Sequence, residues 1–160
     1  MTTKMRWNWT YQRLGSFTYT LLPKTEIKPF LMEWLKKEWA IDHAEAPDQS
    51  WTIEWLDLLP RMEFCLEIVE LNDIKPRPDL MNYKTAEEDF MADLMERADE
   101  REISLLRGVS TEPLVVNRDG LELMDGYTRY VVFNKHNQKH VYAYVGTTAA
   151  SKNKTDDSEK

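Results

Sequence analysis

Between Pro113 and Val145 the order of residue types leaves the backbone few options. Pro113-Leu114-Val115-Val116-Asn117 has the apolar run of a buried strand. Arg118-Asp119-Gly120 is a hairpin turn, with a glycine free to take positive φ. Leu121-Glu122-Leu123-Met124 returns as a second strand. Asp125-Gly126 then turns the chain sharply into a helix expected from Tyr127 to Lys135. Asn137-Gln138-Lys139 ends that helix, and His140-Val141-Tyr142-Ala143-Tyr144-Val145 alternates as a final strand.

The region before it completes an α/β unit. Met62 to Leu71 alternates as a strand, and Asn72-Asp73-Ile74-Lys75-Pro76-Arg77-Pro78 must extend or turn because of its two prolines. Thr85-Ala86-Glu87-Glu88 is a capping box that predicts the start of a helix. Phe90, Met91, Leu94, Met95 and Ala98 are its expected apolar face, and Gly108 its stop. The other face carries eight acids, among them Glu88, Glu96 and Glu102, against Arg97 and Arg101. Such a run reads as a solvated face.

All six tryptophans lie within the first 55 residues. This marks residues 1–61 as a separate layer: a Trp-rich extension packed on a core domain of residues 62–146. Trp7 to Tyr11 and Phe17 to Leu22 read as strands. A helix from Glu26 to Trp39, with Thr25 as N-cap and Pro29 near its first turn, places Phe30, Leu31, Trp34, Leu35 and Trp39 on one face. Trp51, Trp55 and Leu58 give a shorter helical face ending before Pro60, after a loop at residues 44–50. The aromatic stripe is first of all core, and an exposed part of it would suit a protein partner. Residues 147–160 have no apolar periodicity and read as a disordered tail. The fold class is therefore α/β (α+β): a small mixed sheet with flanking helices.

Charge and composition narrow the function classes. A net charge of −7 opposes a protein that grips nucleic acid through phosphates, so direct DNA binding is not expected. No signal-peptide pattern opens the sequence, and no stretch approaches the roughly 20 apolar residues of a membrane span. The expected location is cytoplasmic, with no membrane partner. The single cysteine, Cys65, excludes an internal disulfide and reads as a buried apolar thiol. His43, His136 and His140 are scattered and carry no metal-ligand pattern; no metal is expected.

The Asp125-Gly126 corner carries the candidate chemistry. A strand that passes straight into a helix bares several backbone N–H groups, and the helix dipole favours an anion there. Gly126 has no Cβ to hold a phosphate off the backbone. Thr128 offers a hydroxyl, Arg129 a planar fork for phosphate oxygens, and Tyr127 and Tyr130 walls for a base or sugar. The same residues also fit a plain hairpin-and-helix corner in which Arg129 pairs with Asp125 or Glu122. The motif alone does not choose.

The order of elements resembles the ParB/sulfiredoxin superfamily over residues 68–146, about half of the chain. Leu71-Asn72-Asp73-Ile74-Lys75-Pro76-Arg77-Pro78 looks like that family's opening strand and turn, and Asp125-Gly126-x-x-Arg129-Tyr130 looks like its signature. The resemblance implies a nucleotide or another phosphate ligand at the corner: ATP, ADP or CTP, with or without magnesium, held by Asp125, Gly126, Tyr127, Thr128, Arg129 and Tyr130. Sulfiredoxins place a catalytic cysteine after the signature glycine; Tyr127 stands there, which excludes that activity. Free-serine kinases of the superfamily place a glutamate base after the first proline; Asp79 lies nearest and is the candidate general base. Three functions follow in order: a regulatory nucleotide-binding or phosphate-binding module; a small-molecule phosphotransferase using ATP or ADP; and a degenerate scaffold that binds a protein partner through its aromatic N-terminal region.

Overall fold

A computed structural model describes residues 6–45, 47 and 50–149. Of the tail expected at 147–160, residues 150–160 lie outside the described residues, as do residues 46, 48 and 49 of the expected loop and residues 1–5, while Thr147 belongs to the last strand. Among the described residues, six strands and five α-helices follow in chain order: β1 (Thr10–Leu14), β2 (Phe17–Leu21), α1 (Lys24–Glu45), α2 (Ser50–Leu58), β3 (Glu63–Glu70), α3 (Pro78–Met81), α4 (Phe90–Leu106), β4 (Leu114–Asn117), β5 (Glu122–Asp125), α5 (Tyr127–Lys135) and β6 (His140–Thr147).

The main sheet is mixed, with strand order β3-β6-β4-β5. Strand β6 runs antiparallel to β3 and parallel to β4, and β4 pairs antiparallel with β5. All four residues of β4 are buried, as its unbroken apolar run requires of a strand covered on both faces. The hairpin of β1 and β2 is a second sheet, in which Phe17, Tyr19 and Leu21 point inward at a period of two. It docks on the segment leading into β4: Thr20 donates to the Thr111 carbonyl (2.8 Å) and Thr111 to the Thr18 carbonyl (2.9 Å). One contiguous buried cluster takes in Leu35, Trp39 and Trp55 together with Val116, Phe133 and Tyr144. The Tyr144 hydroxyl ties the layers further by accepting from the Leu22 N–H at 3.0 Å.

Several expectations shift. The first strand is Thr10–Leu14 rather than Trp7 to Tyr11. Helix α1 starts at Lys24 and runs to Glu45, so Thr25 sits in its first turn instead of capping it, and Pro29 lies inside it. Proline there removes one hydrogen bond, which burial of Ile27, Phe30, Leu31, Leu35 and Trp39 on one face outweighs. Thr85 closes a tight turn with Glu88 (3.0 and 2.7 Å) instead of opening a helix. The N-cap of α4 is Asp89, whose carboxylate accepts from the Ala92 N–H at 3.2 Å. Helix α4 buries Leu94, Ala98 and Leu105, while Met91 and Met95 of its expected apolar face are exposed. Its charged face is not wholly solvated, because Glu102 holds Lys135 of α5 (2.8 Å) and His136, which caps that helix (2.6 Å). Cys65 is only half-buried on edge strand β3, with the Lys24 ammonium 3.2 Å from its Sγ. No helix among the described residues is long and apolar enough to cross a membrane.

Candidate functional site

The corner forms because Gly126 adopts φ 100°, a left-handed conformation that lets β5 pass into α5 within one residue. A Cβ at this position would lie 2.6 Å from Leu114 Cδ2 and 2.7 Å from Arg129 Nη2. The corner is packed as tightly as the Gly126 side permits.

Arg129 is 3% exposed. Its Nη2 donates to the Asp125 carboxylate and to the Pro113 carbonyl, both at 3.2 Å, and its Nη1 lies 3.9 Å from Glu112. Its Nε is buried without an acceptor. The pairing of Arg129 with Asp125 is thus realised, while its Nε N–H goes unmatched. Burial pushes the Asp125 carboxyl above its ordinary range; Arg129 and the Gly126 N–H hold it down against that.

Tyr127 is buried, and its hydroxyl is fully used. It donates to the Leu123 carbonyl at 2.8 Å and accepts from the Arg77 N–H at 3.1 Å. Thr128 is half-buried beside it. Asp125, Gly126, Tyr127, Thr128 and Arg129 all line one cavity of about 390 Å³; Tyr130 is not one of its walls.

The opposite walls come from distant parts of the chain. Trp34 and Trp39 of α1 and Trp51 and Trp55 of α2 supply aromatic surface. Helix α1 adds Glu38, Asp42 and Glu45, which share a stripe with Trp34 because residues three and four apart lie on one helix face. Helix α4 adds Arg97 and Arg101 at the same spacing. The walls therefore carry five carboxylates, counting Glu88 and Asp125, and three guanidiniums.

These charges sense one another. Burial, then Asp125 and Asp42, push Glu38 above its ordinary value; burial, then Glu45, do the same to Asp42. Burial and the neighbouring Arg129 disfavour the charged form of Arg101. Among the described residues no side chain hydrogen-bonds or ion-pairs with Arg101, which feels Glu112 and Asp125 only at longer range.

Sequence reasoning singled out neither Glu38 and Asp42 nor the two arginines as site residues. The available signal was their recurrence at four-residue spacing on helices that also carry aromatic or apolar faces.

Asp79 is not a wall of the cavity. Both its oxygens accept from Arg77, each at 2.8 Å, and one also accepts from the Leu80 N–H at 3.0 Å. The Arg77 hydrogen bonds hold its carboxyl below the ordinary range, which makes it a weak base. Arg77 also bonds Glu54 and lies 3.6 Å from Glu122, which accepts from Trp55 Nε1 at 2.8 Å. Asp79 thus belongs to a network that ties α2 and α3 to β5. The histidines stay apart: His43 meets Thr52 (3.2 Å), His136 meets Glu102, and His140 lies 3.9 Å from Glu70. Among the described residues no group of three His, Cys, Asp or Glu side chains could hold a metal ion.

No family model matches the chain, and no curated protein matches it. In fold it is similar to solved ParB N-domain structures. A Pnob8-like ParB-N domain in its C2221 crystal form aligns at 20% identity and a TM-score of 0.41, over 58% of this chain and 34% of that one. A pNOB8-like ParB N-domain aligns at 19% identity and a TM-score of 0.40, over 57% of this chain and 30% of that one. The chain spans about a third of the length of these solved structures.

Proposed function

We propose that this chain is a binding module for a phosphate-bearing small molecule, a nucleotide in the first instance, seated in the cavity between the Gly126 corner and the tryptophan layer. The observation that carries the reading is the pair of guanidiniums beside the start of α5. Arg101 is half-buried with no bonded carboxylate among the described residues, and Arg129 is buried with its Nε unsatisfied. The two guanidiniums repel one another, and an anion bound beside them relieves that repulsion. The dipole of α5, whose first residues line the cavity, adds to the attraction. The tryptophan walls supply flat apolar surface for a base.

The geometry does not favour phosphotransfer with Asp79 as base, since that carboxylate is committed to Arg77 and lies off the cavity wall. The deciding experiment is a thermal-shift screen of the full chain with ATP, ADP, CTP and GTP, with and without magnesium. A ligand that binds only the folded state at about 100 times its Kd adds about 2.7 kcal/mol of stability. The expected result is stabilisation by at least one nucleotide in wild type and its loss in Arg101→Ala. No shift with any of the four, and none with inorganic phosphate or pyrophosphate, would sink the reading.

A further inference from the structure

Helix α4 carries more apolar surface than its own fold covers. Leu94, Ala98 and Leu105 are buried against the core, while Met91, Met95, Ile103 and Leu106 are exposed. At 3.6 residues per turn, these four fall within about a third of the helix circumference, in the sector next to the buried one. With Val109 just past the helix, this short segment holds five of the nine large apolar side chains exposed among the described residues. Apolar residues scattered singly over a surface are ordinary, but a run of them along one helix marks a contact surface.

The charge around this stripe decides what can cover it. Residues 87–102 hold eight acids against two arginines, a net −6 of the chain's −7. Both arginines line the cavity, and Glu102 is bonded to Lys135 and His136. Asp93, Glu96, Asp99 and Glu100 are exposed, and their side chains form no hydrogen bond or ion pair among the described residues. Helical rotation puts Asp99 within the apolar sector and the other three along its outer border. A second copy docked through α4 would set one acidic border against the other, and an anionic membrane or a nucleic acid would be repelled in the same way. A cationic amphipathic segment matches both the stripe and its border.

We infer that the outer face of α4 is the docking site for a basic amphipathic helix of a partner protein, with apolar anchors at helical spacing flanked by lysine or arginine. The face lies outside the cavity and does not depend on what the cavity binds. Met91 and Met95, unbranched and polarisable, mould to the anchors. The acids draw the partner in, so they act mainly on its rate of association.

The test is fluorescence anisotropy of the full chain with three labelled peptides of 17 residues, the length of α4: an amphipathic Leu/Lys helix, a scrambled sequence of the same composition, and a Leu/Glu helix. The Leu/Lys helix should bind, and M95Q/L106Q should weaken it about ten-fold by removing two anchors. E96Q/E100Q should slow its association and flatten the salt dependence, with little change in dissociation. All four side chains are exposed, and glutamine is a good helix former, so both variants fold; an unchanged melting profile checks this. Equal binding of the scrambled or the Leu/Glu peptide overturns the inference, as does binding that M95Q/L106Q leaves unchanged, because the apolar stripe then selects nothing. An association rate unaltered in E96Q/E100Q overturns it too, and so does silence from the Leu/Lys helix. If the wild-type chain sediments as a dimer that M95Q/L106Q disperses, a second copy covers the face and the basic partner is ruled out.

Discussion

Arg129 reaches back one helical turn to the carboxylate of Asp125, Nη2 to Oδ2 at 3.2 Å, so the cation and anion of the corner are held by each other before any ligand arrives. Arg129 is buried and Asp125 half-buried, and Arg129 also satisfies the Pro113 carbonyl. Arg129→Ala therefore strands a half-buried carboxylate and a buried carbonyl, and should cost about 3 kcal/mol in urea unfolding. Arg101→Ala removes a half-buried cation with no bonded partner among the described residues, and should cost under about 0.5 kcal/mol. Equal losses in the two variants would contradict the division of labour between them. It follows that Arg101, not Arg129, is the residue with which to separate binding from folding.

Stability should peak on the acid side of neutral. Glu38, Asp42 and Asp125 have carboxyls raised in the folded state, so the fold binds their protons more tightly than the unfolded chain does. The stability linked to them is present below the ordinary carboxylate range and is lost as pH rises through the raised values. Asp79 and Glu102 are shifted the other way by Arg77 and by Lys135 and His136, and their contribution disappears as pH falls through the depressed values. The melting temperature should rise on going from about pH 7.5 to about pH 5.5 and fall again near pH 3. In E38Q/D42N the first rise should shrink. A monotonic fall from neutral pH downward would show that the depressed pair outweighs the crowded carboxylates.

The corner and its flanking elements were legible in the sequence because their signals are local. The apolar run at Leu114–Val116, the Gly120 turn and the Asp125-Gly126 step specify neighbours within a few residues, and α5 spans Tyr127–Lys135, between that step and the Asn137 stop, as expected. The start of α4 was misplaced because two capping signals lie four residues apart. The one at Asp89 adjoins the buried Leu94 and Ala98 turn and prevails, leaving Thr85 to close its own turn. The far wall of the cavity was not legible. Glu38, Asp42 and Arg101 each look like a solvated charge on its own helix, and only the packing of α1, α2 and α4 around the Gly126 corner brings them to one space. Tyr127 illustrates the opposite limit: its place beside the glycine suggested a ligand wall, but its hydroxyl is consumed by Leu123 and Arg77.

That hydroxyl makes Tyr127→Phe a structural variant and only indirectly a binding one. The ring stays in its buried site, edge-on to Phe90 at 6.0 Å between centroids, while the Leu123 carbonyl and the Arg77 N–H each lose a partner. The cost should be about 1–2 kcal/mol. Since Arg77 also anchors Asp79 and Glu54, hydrogen exchange should quicken at α3 and at the end of α2. Unchanged protection there would mean that the Arg77 network stands without the tyrosine.

Two glycines with positive φ should respond very differently to the same substitution. Gly120, at φ 71°, closes the β4–β5 turn with nothing within 4 Å of where a Cβ would stand. Alanine there meets only the intrinsic penalty of a left-handed backbone, about 1 kcal/mol. Gly126 combines φ 100° with a Cβ position 2.6 Å from Leu114 and 2.7 Å from the Arg129 guanidinium. Neither neighbour has room to give: Leu114 is fully buried in β4, and Arg129 is held by Asp125 and Pro113. Gly126→Ala therefore adds a steric clash to roughly 1–3 kcal/mol of backbone strain. It should also push the guanidinium off Asp125, releasing that carboxyl's proton-binding behaviour at the same time. Denaturant midpoints for the two variants decide the matter: Gly126→Ala must lose clearly more stability than Gly120→Ala. If the two losses match, the backbone alone sets the cost and the corner is looser than its packing requires.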